Sequence, residues 1–585
     1  MPVIQQENGR RTVAGLPLRW GVRAYEQLRA AQAGAIGPMP ERYKALSSLL
    51  DDVTAAPLPL DATDAQLCVY AQRFADECAA QAALLHDMKA IRARLAWMVV
   101  NRGIEAPCVE DDRQFMLRCV DAAWWRRNLR RVHGRAFEHA AIRLGFVSVR
   151  AGAYASNETV TRRLAQNRRN AAALQSVTMA NEDGQEYRLA DLAAKGTGNK
   201  AIRRGELMLR MAGCEDIAVE HGHIGLFVTL TCPSKYHAVL AASGTINPNY
   251  NGATPREAQA YLMKVWACIR AKNARDGILP YGFRIAEPHH DGCPHWHILM
   301  FVPGHKVRRL RRTLEAYALA EDGDEPGARK NRLKVVRIEA DKGTAAGYIA
   351  KYVGKNIDDA HVDEHADEDG TVAADFVGDQ VVRPAQRVEA WASQWGIRQF
   401  QPIGQPPVTV WRELRRVEQE RIAGAPQHVQ DAWAACQRET STDPDTGEVI
   451  VSKPADYAAY IRAQGGVNMG RNYRLGVGER VEMREGRYGL APRPVPTGVY
   501  CKALPDVVYT STRHTWKRVG VAVDRPWSPV NNCTGNAAPF WEADAPWPEE
   551  IAPFDDSAYF ADCDFACFEK FGEFSPDNFV ERPHG

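Results

Sequence analysis

Residues 281–303, YGFRIAEPHHDGCPHWHILMFVP, leave the backbone little choice. Two runs rich in aromatic and branched apolar residues flank an Asp-Gly pair, so the segment reads as an antiparallel hairpin. Side chains alternate along a strand, which puts His295 and His297 on one face and Trp296 on the other. Closing the hairpin sets Glu287 opposite His295, with roughly 5 Å between their Cβ atoms. Two imidazoles and one carboxylate then aim at one point. That mixed donor set, with open positions left over, suits Mg2+ or Mn2+ carrying water or a phosphate oxygen.

A His-x-His pair alone is weak evidence, since His221-Gly-His223 occurs in the same chain with nothing beside it to match. What is missing narrows the chemistry further. A histidine-triad nucleotide hydrolase needs a third histidine at 299, which is Leu299, and a cupin needs a glutamate soon after the pair, where ILMFVPG offers none. His289 and His290 receive no role from the sequence.

Downstream, GTAAGYIAKYVGKNI (343–357) has helical periodicity. Tyr348, Lys351, Tyr352 and Lys355 follow i, i+3, i+4, i+7 and share one stripe, while Ala346, Ala350, Val353 and Ile357 form the opposite one. By itself this is an amphipathic surface helix. Beside a divalent ion it acquires a reaction: an ion on Glu287, His295 and His297 polarises a phosphodiester, a tyrosine attacks it, and the lysines neutralise phosphate charge.

The remaining β-rich runs, IGLFVTLTCP from 224 and RLKVVRIEA from 332, are separated from the hairpin by helical stretches at 254–275 and 306–320. Strands joined through helices with an antiparallel pair at the centre indicate an α+β fold, a central antiparallel sheet with flanking helices. Residues 40–103 read as helices, RYKALSSLL and then a long pattern over 65–100, as do the run from Asp111 to Gly145 and the segment VTVWRELRRVEQERIAG from 408. The expected division is 1–108, an N-terminal helical region; 109–215, a basic helical DNA-binding region; 216–410, the catalytic sheet domain; 411–540, a mixed C-terminal region; and 541–585, an acidic tail.

Charge supports that division. The formal net charge of +2 hides about nineteen Lys and Arg against eight Asp and Glu in 113–210, and about twelve acids against two bases in 541–585. Within the basic region Arg126, Arg127, Arg130 and Arg131 interleave with Trp124-Trp125, and Arg168 and Arg169 follow. Arginine for phosphates with aromatics for bases is the composition that grips single strands. Thirteen cysteines without a Cys-x-x-Cys pair argue against a disulfide framework or a zinc ribbon. No apolar run approaches ~18 residues, and the polar N-terminus lacks a signal-peptide core, so the expectation is a cytoplasmic protein without membrane contact.

Three ordered blocks, FVTLTCP (227–233), PHHDGCPHWHILMF (288–301) and YIAKYVGKN (348–356), resemble the HUH superfamily of nickases, and within it the rolling-circle replication initiators. The paired tyrosines, with NKAIRRGELMLR and WGIRQFQPIGQPPVTVWRELRR, resemble the replication gene A endonucleases of temperate tailed bacteriophages. The resemblance spans roughly 110–420. It implies the HUH endonuclease fold, His295 and His297 as metal ligands with Glu287 as the third, and Tyr348 and Tyr352 as nucleophiles. It further implies a 5′-phosphotyrosine, a 3′-hydroxyl that primes host polymerase, and action on single-stranded or supercoiled origin DNA in the bacterial cytoplasm. No Gly-x-x-x-x-Gly-Lys-Ser/Thr motif occurs, so unwinding is expected to fall to a host helicase. Cys293 stands where such motifs often carry threonine, which raises oxidation sensitivity as a question. A plasmid relaxase or transposase of the same superfamily, or a non-catalytic origin-binding protein, is the alternative.

Overall fold

A computed structural model describes residues 20–22, 24, 58–240, 244–338, 347, 352, 353, 357, 375–377, 380–442 and 449–519. Tyr348, Lys351, Lys355, most of the chain before 58 and the acidic segment 541–585 lie outside the described residues. The described chain is a mixed α/β structure with antiparallel sheets and many helices.

The N-terminal part is helical: α1 (Asp64–Ala83), α2 (Met88–Val100), α3 (Asp112–Cys119) and α4 (Ala122–Arg143). Thr63 and Gln66 open α1 with a reciprocal capping box that satisfies backbone N–H groups a helix start leaves open. The pattern that reads as one helix from 111 to 145 is two. The Asp121 carboxylate accepts from the N–H groups of Ala123 and Trp124, which ends α3 and caps α4. Leu67, Phe74, Leu95, Phe115, Trp125 and Leu129 form the core of this bundle. The far half of α4 belongs to a different core, where Phe137, Ala141 and Ile142 meet the central sheet's cover.

Two further helices, α5 (Asn157–Ser176) and α6 (Lys200–Glu220), lead to that sheet. Its strands are β1 (His223–Leu230), β2 (Tyr281–Pro288), β3 (Pro294–Pro303), β4 (Leu333–Arg337) and β5 (Phe400–Ile403). They lie in the order β4-β1-β3-β2-β5, every neighbour antiparallel. All of β2 and all of β3 except Pro303 are buried, so both faces need cover. On one face Leu226, Val228, Ala286, Trp296, Ile298 and Met300 share a core with α7 (Pro255–Arg275), α8 (Val307–Ala318) and α9 (Pro384–Trp395). On the other, Phe227, Phe283, Ile285, Leu299 and Phe301 meet α6, and also α10 (Val408–Leu414), α11 (Gln427–Cys436) and α12 (Tyr457–Ala463). At Gly282, with φ +149°, an added Cβ would stand 2.2 Å from the Leu299 carbonyl oxygen, so only glycine fits between β2 and β3 there.

The helix expected across 408–424 is broken. α10 stops at Leu414, and a separate turn of helix covers Gln419–Ile422. The buried Glu413 carboxylate gathers Arg416, Ser511 and Arg513, and Leu414, Val417 and Ile422 all enter the core.

A separate three-stranded sheet follows, β6 (Leu475–Gly486), β7 (Gly489–Cys501) and β8 (Leu504–Thr510). Its long hairpin is absent from the sequence reading because Pro492, Pro494 and Pro496 argue against a strand. They pair with Met483, Val481 and Glu479. Spaced by two, all three turn their missing N–H toward the edge that β8 leaves open, since β8 pairs with β7 only at Gly498–Cys501. Among the described residues no helix is long and apolar enough to cross a membrane.

Candidate metal and nucleophile site

The hairpin closes as the sequence requires: Glu287 pairs with His295, and Ile285 with His297. A five-residue loop, 289–293, joins the strands, with Gly292 at φ +83° and its N–H donating to the His289 carbonyl. Glu287, His295 and His297 are all buried, and their ligand atoms lie within 4.8 Å of one another. The two Nε2 atoms are 3.0 Å apart, and Glu287 Oε2 is 3.9 Å from His297 Nε2. Donor atoms this close could share one divalent ion, with the carboxylate the more distant of the three. A proton shared between the two nitrogens would hold the same distance without an ion.

Neighbouring strands orient these ligands. Thr229 on β1 is the register partner of His297, and its Oγ1 lies 3.2 Å from Nδ1. A proton on Nδ1 donated to that oxygen leaves the Nε2 lone pair facing the site. The rings of His297, Phe227 and Tyr352 form one cluster: Phe227 stacks on His297 and on Tyr352, each at 5.3 Å, and Tyr352 lies tilted against His297 at 4.2 Å. Phe227 and Thr229 sit inside the block FVTLTCP but are not among the site residues expected from it. The signal was available: positions two apart on a strand adjacent to the histidines must face them.

The two surplus histidines also find places. His289 stacks on His295 at 4.0 Å and meets His237 edge-on at 5.1 Å. His290 stacks on Tyr154, whose backbone N–H donates to the His290 carbonyl. His237 Nδ1 is 3.1 Å from Asp291 Oδ2. Burial alone would raise the Asp291 carboxyl, but the His237 charge and hydrogen bond, with His289 and the Cys293 N–H, together outweigh it and hold Asp291 below the usual carboxylate range. Conversely, burial pushes His237 down and Asp291 more than restores it, leaving its pKa raised.

Trp296 points to the opposite face and anchors the strand. It is fully buried, donates from Nε1 to Gln259 at 2.9 Å, and carries the Arg284 guanidinium 3.8 Å from its ring. Burial, with Arg270 and Arg398 nearby, brings Arg284 down to about 9. Cys293 is buried too, and burial pushes its thiol up.

Of the expected nucleophile stripe, Tyr352 lies at the site, buried with Val353 and Ile357 in the core on that face of the sheet. Tyr348, Lys351 and Lys355 lie outside the described residues. The arginines are not brought to the histidines but line α4 and α5. Arg127, Arg131, Arg168 and Arg169 are exposed, while Arg130 makes a paired contact with Asp64 at 2.7 and 2.6 Å. Arg126 is partly buried. The expected stacking of Trp124 and Trp125 on bases is corrected here: both are buried, Trp125 completely, because helical spacing turns them with Leu129 into the bundle core.

The profile of the bacteriophage replication gene A protein family matches residues 60–360, more than half of the chain. The chain belongs to this family. Gene A relatives include the replication gene A protein of Escherichia phage 186, 38% identical over 456 residues that cover 73% of this chain and 61% of that protein. The replication protein of Haemophilus phage HP1 is 38% identical over 369 residues, 61% of this chain and 44% of its own. A probable replication endonuclease from a prophage-like region of Salmonella paratyphi A is 32% identical over 447 residues, 72% and 52% respectively. The chain thus spans between 44% and 61% of the length of these relatives. No solved structure matches.

Proposed function

We propose that this gene A family member is a site-specific single-strand DNA endonuclease and strand transferase with the HUH endonuclease fold, which initiates rolling-circle replication of phage DNA. The observation that carries the reading is the Tyr352 ring 4.2 Å from that of His297, itself one of the three clustered donors. Glu287, His295 and His297 would hold Mg2+ or Mn2+, which when bound supplies Lewis-acid polarisation of the scissile phosphodiester. The family's printed names, replication protein and probable replication endonuclease, agree with it.

Tyr352 or Tyr348 attacks phosphorus with its phenolic oxygen. The P–O3′ bond breaks, the phenol's proton is released, and the departing 3′-oxygen takes up a proton to become a hydroxyl. The products are a 5′-phosphotyrosine and a 3′-end that host polymerase extends. Because the phosphodiester becomes a phosphotyrosyl ester of similar energy, the second tyrosine can accept the next strand and the first ester can be resealed without a nucleotide cofactor. Lys351 and Lys355 neutralise the phosphate, and Arg126, Arg127, Arg130, Arg131, Arg168 and Arg169 hold the flanking strand. Unwinding falls to a host helicase.

The test is a denaturing gel of the protein with labelled single-stranded origin DNA and Mn2+ or Mg2+. A protein-linked labelled 5′-end that chelator prevents is expected. Cutting that leaves no protein-linked end would refute the tyrosine chemistry.

A further inference from the structure

The β6–β7 hairpin stands free of both faces along its middle. Residues 479–485 and 490–494 are exposed or half-exposed, with Val481 71% and Met483 62% exposed. A seven-residue stretch of strand spans roughly 23 Å. Among the described residues the hairpin is held at its two ends, with the Leu490 carbonyl beside the tip accepting from Gln114. The base lies in the sheet's core through Leu475, Val499 and Cys501. The tip is held in the helical bundle: the Tyr488 hydroxyl donates to Asp121 at 2.5 Å, Arg487 pairs with Asp121 at 2.7 Å, and Arg118 lies 4.5 Å over the Tyr488 ring.

From that tip the contacts run back to the hairpin's base by a second route. Arg135 on α4 donates to the Gln394 carbonyl of α9. Glu389 on α9 holds Arg163 and Asn167 of α5. Beyond α5, strand Thr178–Ala180 pairs with Lys517–Val519, and the Ser511 N–H donates to the Thr497 carbonyl on β7. The circuit is closed. Its helical sides are basic: α4 carries six arginines against one glutamate, which is buried, and α5 four against one.

We infer that the β6–β7 hairpin is a strap that closes round a single strand of DNA, with Tyr488 and Arg487 latched on Asp121. The inference rests on the DNA-cutting reading above. The charge of α4 and α5 suits phosphates, and the exposed apolar side chains of the ribbon suit unstacked bases, which a duplex does not offer. An initiator that stays with one strand through a full round of replication would gain from being topologically linked to it.

The test compares lifetimes of complexes on a circular single strand lacking the origin and on the same strand linearised, with chelator present to prevent cutting, after a jump to high salt. Complexes on the circle are expected to outlast those on the linear form at least tenfold, and the double variant Arg487→Ala, Tyr488→Phe to bring the two together. Equal lifetimes for the wild-type chain would overturn the strap while leaving DNA binding intact. A double variant that keeps the full preference for circles would overturn the latch. No binding to either form at low salt would remove the DNA-binding reading and the strap with it. The wild-type comparison decides the matter even if the variant fails to fold.

Discussion

The rings of Tyr352 and His297 lie 4.2 Å apart and 40° inclined. A phenol so placed stands beside the donor atoms rather than on a solvated helix face. Replacing Tyr352 by Phe keeps the ring and its packing and removes only the oxygen. Tyr348→Phe with Tyr352→Phe should leave the melting temperature near wild type and lower adduct formation at least ~10³-fold, the scale on which loss of a nucleophile is felt. A single-turnover assay with end-labelled DNA reads it, and residual adduct at wild-type rate would defeat the assignment. Tyr352→Ala differs: emptying a buried aromatic site should cost about 3 kcal/mol of stability as well.

Thr229 reaches no substrate in the proposed reaction, yet it faces His297 Nδ1 at 3.2 Å. Thr229→Val preserves the shape of the side chain and removes that partner. Mn2+ affinity, followed by calorimetry or by the EPR signal of free ion, should weaken about 10- to 100-fold. Undiminished affinity would mean that packing alone fixes the imidazole. His297→Ala, which deletes a ligand, should weaken it further.

The hairpin was legible because period-two alternation and an Asp-Gly turn leave one register that buries ILMF, and Glu287 against His295 follows from it. The opposed stripes of the tyrosine segment were not: Tyr352 is buried in the same core as Val353 and Ile357, which the sequence pattern sets on the other side. Less legible was anything decided by distant partners. Trp124 and Trp125 beside four arginines look like a base-stacking surface until Phe74, 5.3 Å from Trp125, shows where the rings go. The prolines of β7 hid a strand because sequence does not say which edge of it will be open.

Exposed arginines set the salt dependence of DNA binding, and Arg130, held in an ion pair with Asp64, should matter less. Arg127→Ala, Arg131→Ala, Arg168→Ala and Arg169→Ala should each reduce the slope of log affinity against log salt on single strands by about 0.7 where the side chain contacts a phosphate. Arg130→Ala, whose guanidinium already holds Asp64, should move the slope less. A titration series by fluorescence anisotropy decides it. An unchanged slope in the combined variant would remove α4 and α5 from the binding path.

Cys293 is 3% exposed, and burial pushes its thiol well up, so little thiolate exists at neutral pH. Oxidation sensitivity at this position is therefore expected to be low. Cys108 and Cys268, both exposed, should react with maleimide in the folded protein, while Cys293 reacts only after denaturant is added. Mass spectrometry of the labelled peptides gives the order, and rapid native labelling of Cys293 would contradict it.

Glu389 links α9 to α5 and α6 through Arg163, Asn167 and Lys200. Burial would raise its carboxyl, but the Lys200 and Arg163 charges and the hydrogen bonds outweigh that and lower it to about 2. A folded-state value below the ordinary one means that the link stabilises fully above about pH 4.5 and fades as pH falls toward 2. Its side chain is 21% exposed, so the contribution belongs at about 1–3 kcal/mol after solvent screening. Glu389→Gln should therefore be less stable than wild type by that amount at pH 7 in urea unfolding, and the gap should narrow as pH is lowered from 5 toward 2. A difference that stays constant across that range would show that shape and hydrogen bonding, rather than the charge, join the three helices.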